Sequence, residues 1–187
     1  MKIKLILIVV LCIITNGAFA EQVPSGATAV LKVAADIAKS GYREGANNAT
    51  VFGEWYGMQN QPWCAMYISW CFKEAGLSEL VAAQSEKGFA SCAIGLRWFT
   101  QNKQLVTVIQ ARPGDIAFYG SSQDGKAHHV GLVVENHLNK NNPEKSYLMC
   151  YEGNTSSDSK GSQRDGDGVY LKKRFYDAVV KVARPKY

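Results

Sequence analysis

The chain reads as an α+β protein, with helices in its first half and a run of strands in its second. Three observations predict this. Apolar residues recur at three- and four-residue intervals in three segments between residues 26 and 102. After Pro113-Gly114 the pattern changes to short runs rich in Val, Tyr, Phe and Leu. Short polar connections separate those runs, which favours antiparallel pairing over parallel crossovers and segregates helices from sheet.

The first twenty residues stand apart from this pattern. Lys2 and Lys4 make a basic start, Leu5 to Ile14 form an apolar run, and Ala18-Phe19-Ala20 fits the small-x-small rule for cleavage before Glu21. That is a secretory leader; an uncleaved interfacial anchor is the alternative. The run is too short to cross a bilayer as a helix, which takes about 20 residues. Cys12 has no small residue before it, so a lipid-modified terminus is not expected. Removing the leader leaves 167 of the 187 residues, the size of one domain spanning 21–187. Such a chain can bury a core without metal or a dense disulfide framework. The net charge falls from +5 to +3 because Lys2 and Lys4 leave with the leader. That mild excess suits an anionic cell envelope and is too small to argue for nucleic acid. The product is expected to be exported, soluble and monomeric, with no membrane contact after cleavage.

Ser25 is a candidate cap for a helix over 26–39, whose apolar face is Val30, Ala34, Ile37 and Ala38. Gly41 and Gly45 mark a loop. Residues 47–62 lack helical periodicity and read as a long loop, in which Trp55 and Tyr56 either wall a cleft or pack over a core edge. Pro62 suits the first turn of the next helix. That helix carries Trp63, Met66, Tyr67, Trp70, Cys71 and Ala75 and ends at Gly76; being apolar on most of its circumference, it belongs in the centre of the domain. A shorter helix covers 91–102. Strands are expected over 115–119, 129–135, 147–152, 168–173 and 179–183, with a polar loop over 153–168. Lys172-Lys173-Arg174 reads as a solvated sheet edge.

The chemistry centres on Cys64, at the point where loop becomes helix. A helix N-terminus carries roughly half a positive charge and favours thiolate. His128 and His129 open a strand downstream, and a histidine beside the thiol can accept its proton and hold it as imidazolium. Together these are the parts of a papain-type nucleophile. Alternation puts the two imidazoles on opposite faces, which makes them a poor zinc pair but leaves the choice of base open. His137 reads as solvated. Glu152 and Asn154 end the next strand two residues apart, so in extended chain both face one side; if that strand neighbours His129, Glu152 can hold the imidazole N–H and Asn154 can support the pair. Taken alone, Glu152 would be a strand-end carboxylate in water. Cys71 lies seven residues after Cys64 and should point into the core. Among Cys71, Cys92 and Cys150 at most one disulfide is expected, with no pairing assignable.

The segments Glu54-Trp55-Tyr56-Gly57, Gln61-Pro62-Trp63-Cys64-Ala65-Met66, Pro113-Gly114-Asp115-Ile116, His129-Val130-Gly131-Leu132-Val133 and Glu152-Gly153-Asn154-Thr155 occur in the order seen in CHAP domains. The resemblance covers about 41–187. CHAP domains are cysteine- and histidine-dependent amidohydrolases and peptidases with a papain-like fold. The resemblance implies that Cys64 is the nucleophile, His129 the general base, Glu152 the residue orienting it, and Asn154 an accompanying amide. It also implies bacterial peptidoglycan as substrate, cut at the muramoyl-L-alanine amide or within the peptides. Gln61 is a candidate oxyanion donor beside backbone N–H groups, and Trp55, Tyr56 and Trp63 are candidate cleft residues. Some phage members bind calcium through an Asp-rich loop before the nucleophile. Here residues 47–60 hold one acid, Glu54, and Asp165-Gly166-Asp167-Gly168 lacks the later carboxylate, so neither metal nor cofactor is expected. The rivals are a papain-like amidase on another substrate and a non-catalytic module that binds wall fragments or a partner.

Overall fold

The computed structural model describes residues 22–120, 125–157 and 165–187. The expected leader falls outside them, as does part of the expected loop over 153–168. Helix α1 (Ser25–Lys39) buries Ala27, Val30 and Ala34. Its cap is Pro24, not Ser25. The Pro24 carbonyl accepts the Thr28 N–H at 3.0 Å, so the hydrogen-bond ladder begins one residue earlier than a serine cap implies.

The segment over 47–62 is not all loop. Helix α2 (Val51–Tyr56) forms within it, capped by the Thr50 hydroxyl on the Gly53 N–H and ended by Gly57 in the left-handed region. Six residues make fewer than two turns, too few to show a helical period in sequence. Phe52 carries the helix into the core, against Trp63 at 5.2 Å and Tyr67 at 5.4 Å between ring centroids. This aromatic packing fixes the chain that leads into the next helix.

Helix α3 (Cys64–Glu74) is the central helix expected from its apolar circumference. Every residue from Cys64 to Ser69 is buried, as are Cys71 and Phe72. Pro62 lies just outside it, because Trp63 is the cap. The Ser69 hydroxyl bonds both the carbonyl and the N–H of Phe89, at 2.8 and 2.9 Å, and so ties the next connection to α3. Helix α4 (Cys92–Gln101) follows, with Gly95 and Phe99 buried.

The strands are β1 (Leu105–Val106), β2 (Ile116–Gly120), β3 (Ala127–His137), β4 (Tyr147–Thr155), β5 (Gly168–Phe175) and β6 (Val179–Ala183). They form one antiparallel sheet in the order β1-β6-β2-β3-β4-β5. With the helices N-terminal to it, this is the papain-like α+β arrangement. The two-residue strand β1 was not expected; it exists because β6 pairs with it. One sheet face packs on the helices through Ile116, Phe118, Val130, Leu132 and Val169. The other holds a smaller cluster of Ala117, Tyr119, Val133, Leu148, Cys150 and Val182.

Two features of β4 set the site. Gly153 lies under α3, where a Cβ would come within 2.6 Å of Trp63 and 2.8 Å of Tyr67, so only glycine lets strand and helix approach this closely. The register shifts between Glu152 and Thr155, and Asn154 takes φ +57°. The strict alternation expected to put Glu152 and Asn154 on one face therefore breaks, and Glu152, Gly153, Asn154 and Thr155 are all buried.

The basic run lies on the edge strand β5, as expected, but it is only partly solvated. Lys173 is exposed, but Lys172 is only 7% exposed and donates to the Ser156 carbonyl, while Arg174 turns inward. Strand alternation splits the run between two faces, which a count of charges does not reveal. At the C-terminal end, Arg184 pairs with buried Asp115 at 2.8 and 3.0 Å, and the Tyr187 hydroxyl donates to the Gly114 carbonyl at 2.7 Å. These contacts hold the turn that feeds β2. No helix among the described residues is long and apolar enough to cross a membrane.

Candidate active site

Cys64 is the first residue of α3, and the Ala65 backbone N–H helps to lower its thiol pKa. The helix therefore presents the thiol where backbone donors are unpaired. His129 lies on β3 and is 4% exposed, whereas His128 is exposed on the opposite face. The Nε2 of His129 sits 2.8 Å from Glu152 Oε2. Its other nitrogen, Nδ1, is buried without a hydrogen bond of good geometry. Cys64 is the ionisable group that acts on the ring besides Glu152. Thiol, imidazole and carboxylate come from three separate elements, the last two in direct contact and the thiol coupled electrostatically to the ring.

The row can form because Gly131 separates His129 from the rest of β3. A Cβ there would lie 2.7 Å from Glu152 Cγ and 3.1 Å from Cys150 Cβ, so the missing side chain gives the glutamate its path to the ring. Glu152 is fully buried, not a solvated strand end. Its second partner is Arg174, whose Nε lies 2.8 Å from Oε1 and whose terminal nitrogen bonds Oε2. The guanidinium also lies 5.3 Å from the centre of the Tyr119 ring. Sequence reasoning missed Arg174. The available signal was period-2 alternation, which puts it on the β5 face opposite Lys173.

A second unforeseen neighbour is Cys92, the first residue of α4. Its sulfur lies 3.7 Å from that of Cys64. No sequence signal links two cysteines 28 residues apart on different helices. All four described cysteines are free thiols. Cys71 is buried as expected, and burial pushes its thiol, like that of Cys150, well above the ordinary range.

The electrostatics alternate along the row. The Cys92 S–H hydrogen bond is the largest influence lowering the Cys64 pKa; the His129 hydrogen bond and charge add to it, and together they overcome burial. Cys92 is correspondingly raised, first by that same hydrogen bond and then by burial. Burial alone would lower His129, but hydrogen bonds and charge from Cys64 and Glu152 outweigh it and raise the imidazole to about 9. Burial opposes the Glu152 charge, yet Arg174 and then His129 hold the carboxyl below its ordinary value. Each shift favours the charged form, so the row is biased towards thiolate, imidazolium, carboxylate and guanidinium in sequence. It can attack an electrophilic carbonyl carbon and return a proton to a leaving group.

The CHAP domain profile matches residues 55–154, more than half of the chain. The chain belongs to the CHAP domain family. This is a family of amidase- and peptidase-type hydrolases, commonly acting on peptidoglycan, so a hydrolase is the expected activity class. No curated protein and no solved structure matches the chain. The matched span begins at Trp55 and ends at Asn154, and so contains Cys64, His129 and Glu152; it excludes Arg174.

The other residues singled out in sequence fall as follows. Asn154 lies two residues beyond Glu152, in the irregular end of β4. Gln61 is exposed just before α3. Trp55 and Tyr56 are half-buried: Trp55 meets Trp70 edge-on at 5.4 Å, and the Lys87 ammonium donates to the Trp55 carbonyl at 2.7 Å. Trp63 lines no cleft. It is fully buried between Tyr42, Phe52 and Tyr67, and its indole N–H donates to Glu44. Among the described residues no three His, Cys, Asp or Glu side chains cluster as metal ligands.

Proposed function

We propose that this CHAP protein is an exported cysteine amidase or endopeptidase that hydrolyses amide bonds in bacterial peptidoglycan. The observation that carries the proposal is the 2.8 Å pair of His129 and Glu152, with the Cys64 thiol acting on the same imidazole from the start of a helix. Family membership supports the amide-hydrolase class and peptidoglycan as the substrate.

In this mechanism the Cys64 thiolate attacks the substrate carbonyl carbon, and the charge moves to the oxygen. Backbone N–H groups at the start of α3 receive that oxyanion, with Gln61 as a side-chain candidate beside them. His129, protonated in the resting state, gives its proton to the leaving amine. Neutral His129 then takes a proton from water, which attacks the thioester and releases the acid. Glu152 fixes the imidazole tautomer and stabilises its charge, and Arg174 neutralises the far side of Glu152.

The test is turnover of purified peptidoglycan by the protein and by Cys64→Ala and His129→Ala, each checked for folding by circular dichroism. Both variants are expected to lose wall hydrolysis while remaining folded. Wall clearance by either folded variant at the wild-type rate refutes the assignment. Mass spectrometry of the products separates amidase from endopeptidase through the new amino terminus or the freed lactyl group. Turnover of a non-wall amide with no release from walls would favour the other-substrate rival.

A further inference from the structure

The mechanism above uses Cys92 only as a neighbour, yet its position is unusual. It is the first residue of α4, Cys64 is the first residue of α3, and their sulfurs are 3.7 Å apart. They are 4% and 7% exposed, so the pair is sheltered but not sealed; Cys71 and Cys150, by contrast, are fully buried. We propose that Cys64 and Cys92 are a reversible redox pair, in which an oxidised Cys64 is captured by Cys92 as an intramolecular disulfide that switches the nucleophile off. The consequence for activity rests on the functional reading above; the pairing itself does not.

The chemistry balances with a hydroperoxide as oxidant. The Cys64 thiolate attacks the terminal oxygen, an S–O bond forms and the O–O bond breaks, and the departing alkoxide or hydroxide takes the His129 proton. Cys92 then attacks the sulfenic sulfur; the S–S bond forms, the S–O bond breaks, and the hydroxide leaves as water with the Cys92 proton. Two thiols lose two electrons, and the hydroperoxide is reduced to water and an alcohol, or to two waters. Closing 3.7 Å to a bond of about 2.05 Å needs each sulfur to move by less than ~1 Å.

Electrostatics assign the two roles. Cys64 is shifted towards thiolate and so is the sulfur that meets the oxidant, while Cys92 is shifted towards its protonated form. The sulfenic acid carries no full charge, so once it forms the like charge that disfavours a Cys92 thiolate is gone. The Cys92 backbone N–H then favours that thiolate at the moment it must attack. A sulfenic acid left alone proceeds to sulfinic acid, which thiols do not reverse. Cys92 therefore preserves the site as well as silencing it. An exported enzyme meets oxidants that cytosolic thiol systems do not remove.

The test is intact-mass and peptide analysis of the full chain after hydrogen peroxide treatment. The wild type is expected to lose about 2 Da, to yield a Cys64–Cys92 cross-linked peptide, and to recover both mass and activity in dithiothreitol. Cys92→Ser is expected instead to gain about 32 Da on Cys64, with most of its activity unrecoverable by dithiothreitol. Oxygen addition without cross-linking in the wild type, or equal recovery by Cys92→Ser, overturns the proposal. The wild-type mass measurement decides the matter even if Cys92→Ser fails to fold. A cross-link in a protein that never hydrolyses walls would leave the pair standing and remove the function, whereas an active enzyme that does not cross-link would do the reverse.

Discussion

Replacing Arg174 with methionine tests the electrostatic row at its anchor. Glu152 is fully buried and accepts two bonds from the guanidinium, which itself retains 14% side-chain exposure. Methionine fills a similar volume but leaves a buried carboxylate whose counter-charge is His129 alone. Breaking one side of a buried ion pair costs about 3–5 kcal/mol, because the remaining charge has lost both water and partner. For a domain of this size each kcal/mol moves Tm by roughly 2–4 °C, so Arg174→Met should melt roughly 6–20 °C below wild type. The assay is thermal and urea unfolding, followed by circular dichroism, of wild type, Arg174→Met, Glu152→Gln and the double variant. The double variant removes both charges, so its loss should fall short of the sum of the single losses by at least about 2 kcal/mol. A single variant within ~1 kcal/mol of wild type, or strict additivity in the double, would refute the claim that uncompensated charge is what matters here.

Other outcomes follow from the same geometry. Turnover should fall as pH rises through about 9, because the imidazole raised to that value by Cys64 and Glu152 loses the proton it must donate; a titration of kcat/KM against pH locates this limb. Glu152→Gln removes one of the two groups that hold this proton, so the alkaline limb should shift downward; an unchanged limb would separate Glu152 from the base. Gly153→Ala should destabilise the fold by about 1–3 kcal/mol in urea unfolding, since a Cβ meets Trp63 at 2.6 Å where neither strand nor helix has room to retreat. Iodoacetamide should label Cys64 rapidly near pH 7 and Cys71 only on unfolding, as read by peptide mass mapping.

The order of helices and strands was readable because apolar residues recur at three- and four-residue intervals in α1 and α3, while the strands are short runs rich in β-branched and aromatic residues. Cys64 at a helix start and His129 at the head of a strand are local facts and were legible for that reason. So was the glutamate one strand later. What failed were features shorter than a period or dependent on partners. Helix α2 spans too few residues to show periodicity, β1 exists only through β6, and the bulge at Asn154 breaks the alternation assumed for Glu152 and Asn154.

Sequence by itself determined which groups have the right chemistry and which local element carries each of them, since propensity, capping and alternation act over a few neighbouring residues. Tertiary structure alone decided who meets whom. It turned Arg174 from a surface charge into the partner of a buried carboxylate, moved Trp63 from cleft to core, and set Cys92 beside Cys64. Those outcomes depend on contacts between residues 22 to 28 positions apart and on aromatic packing across separate helices. Backbone pairing and close packing fix such distances, and no local pattern encodes them.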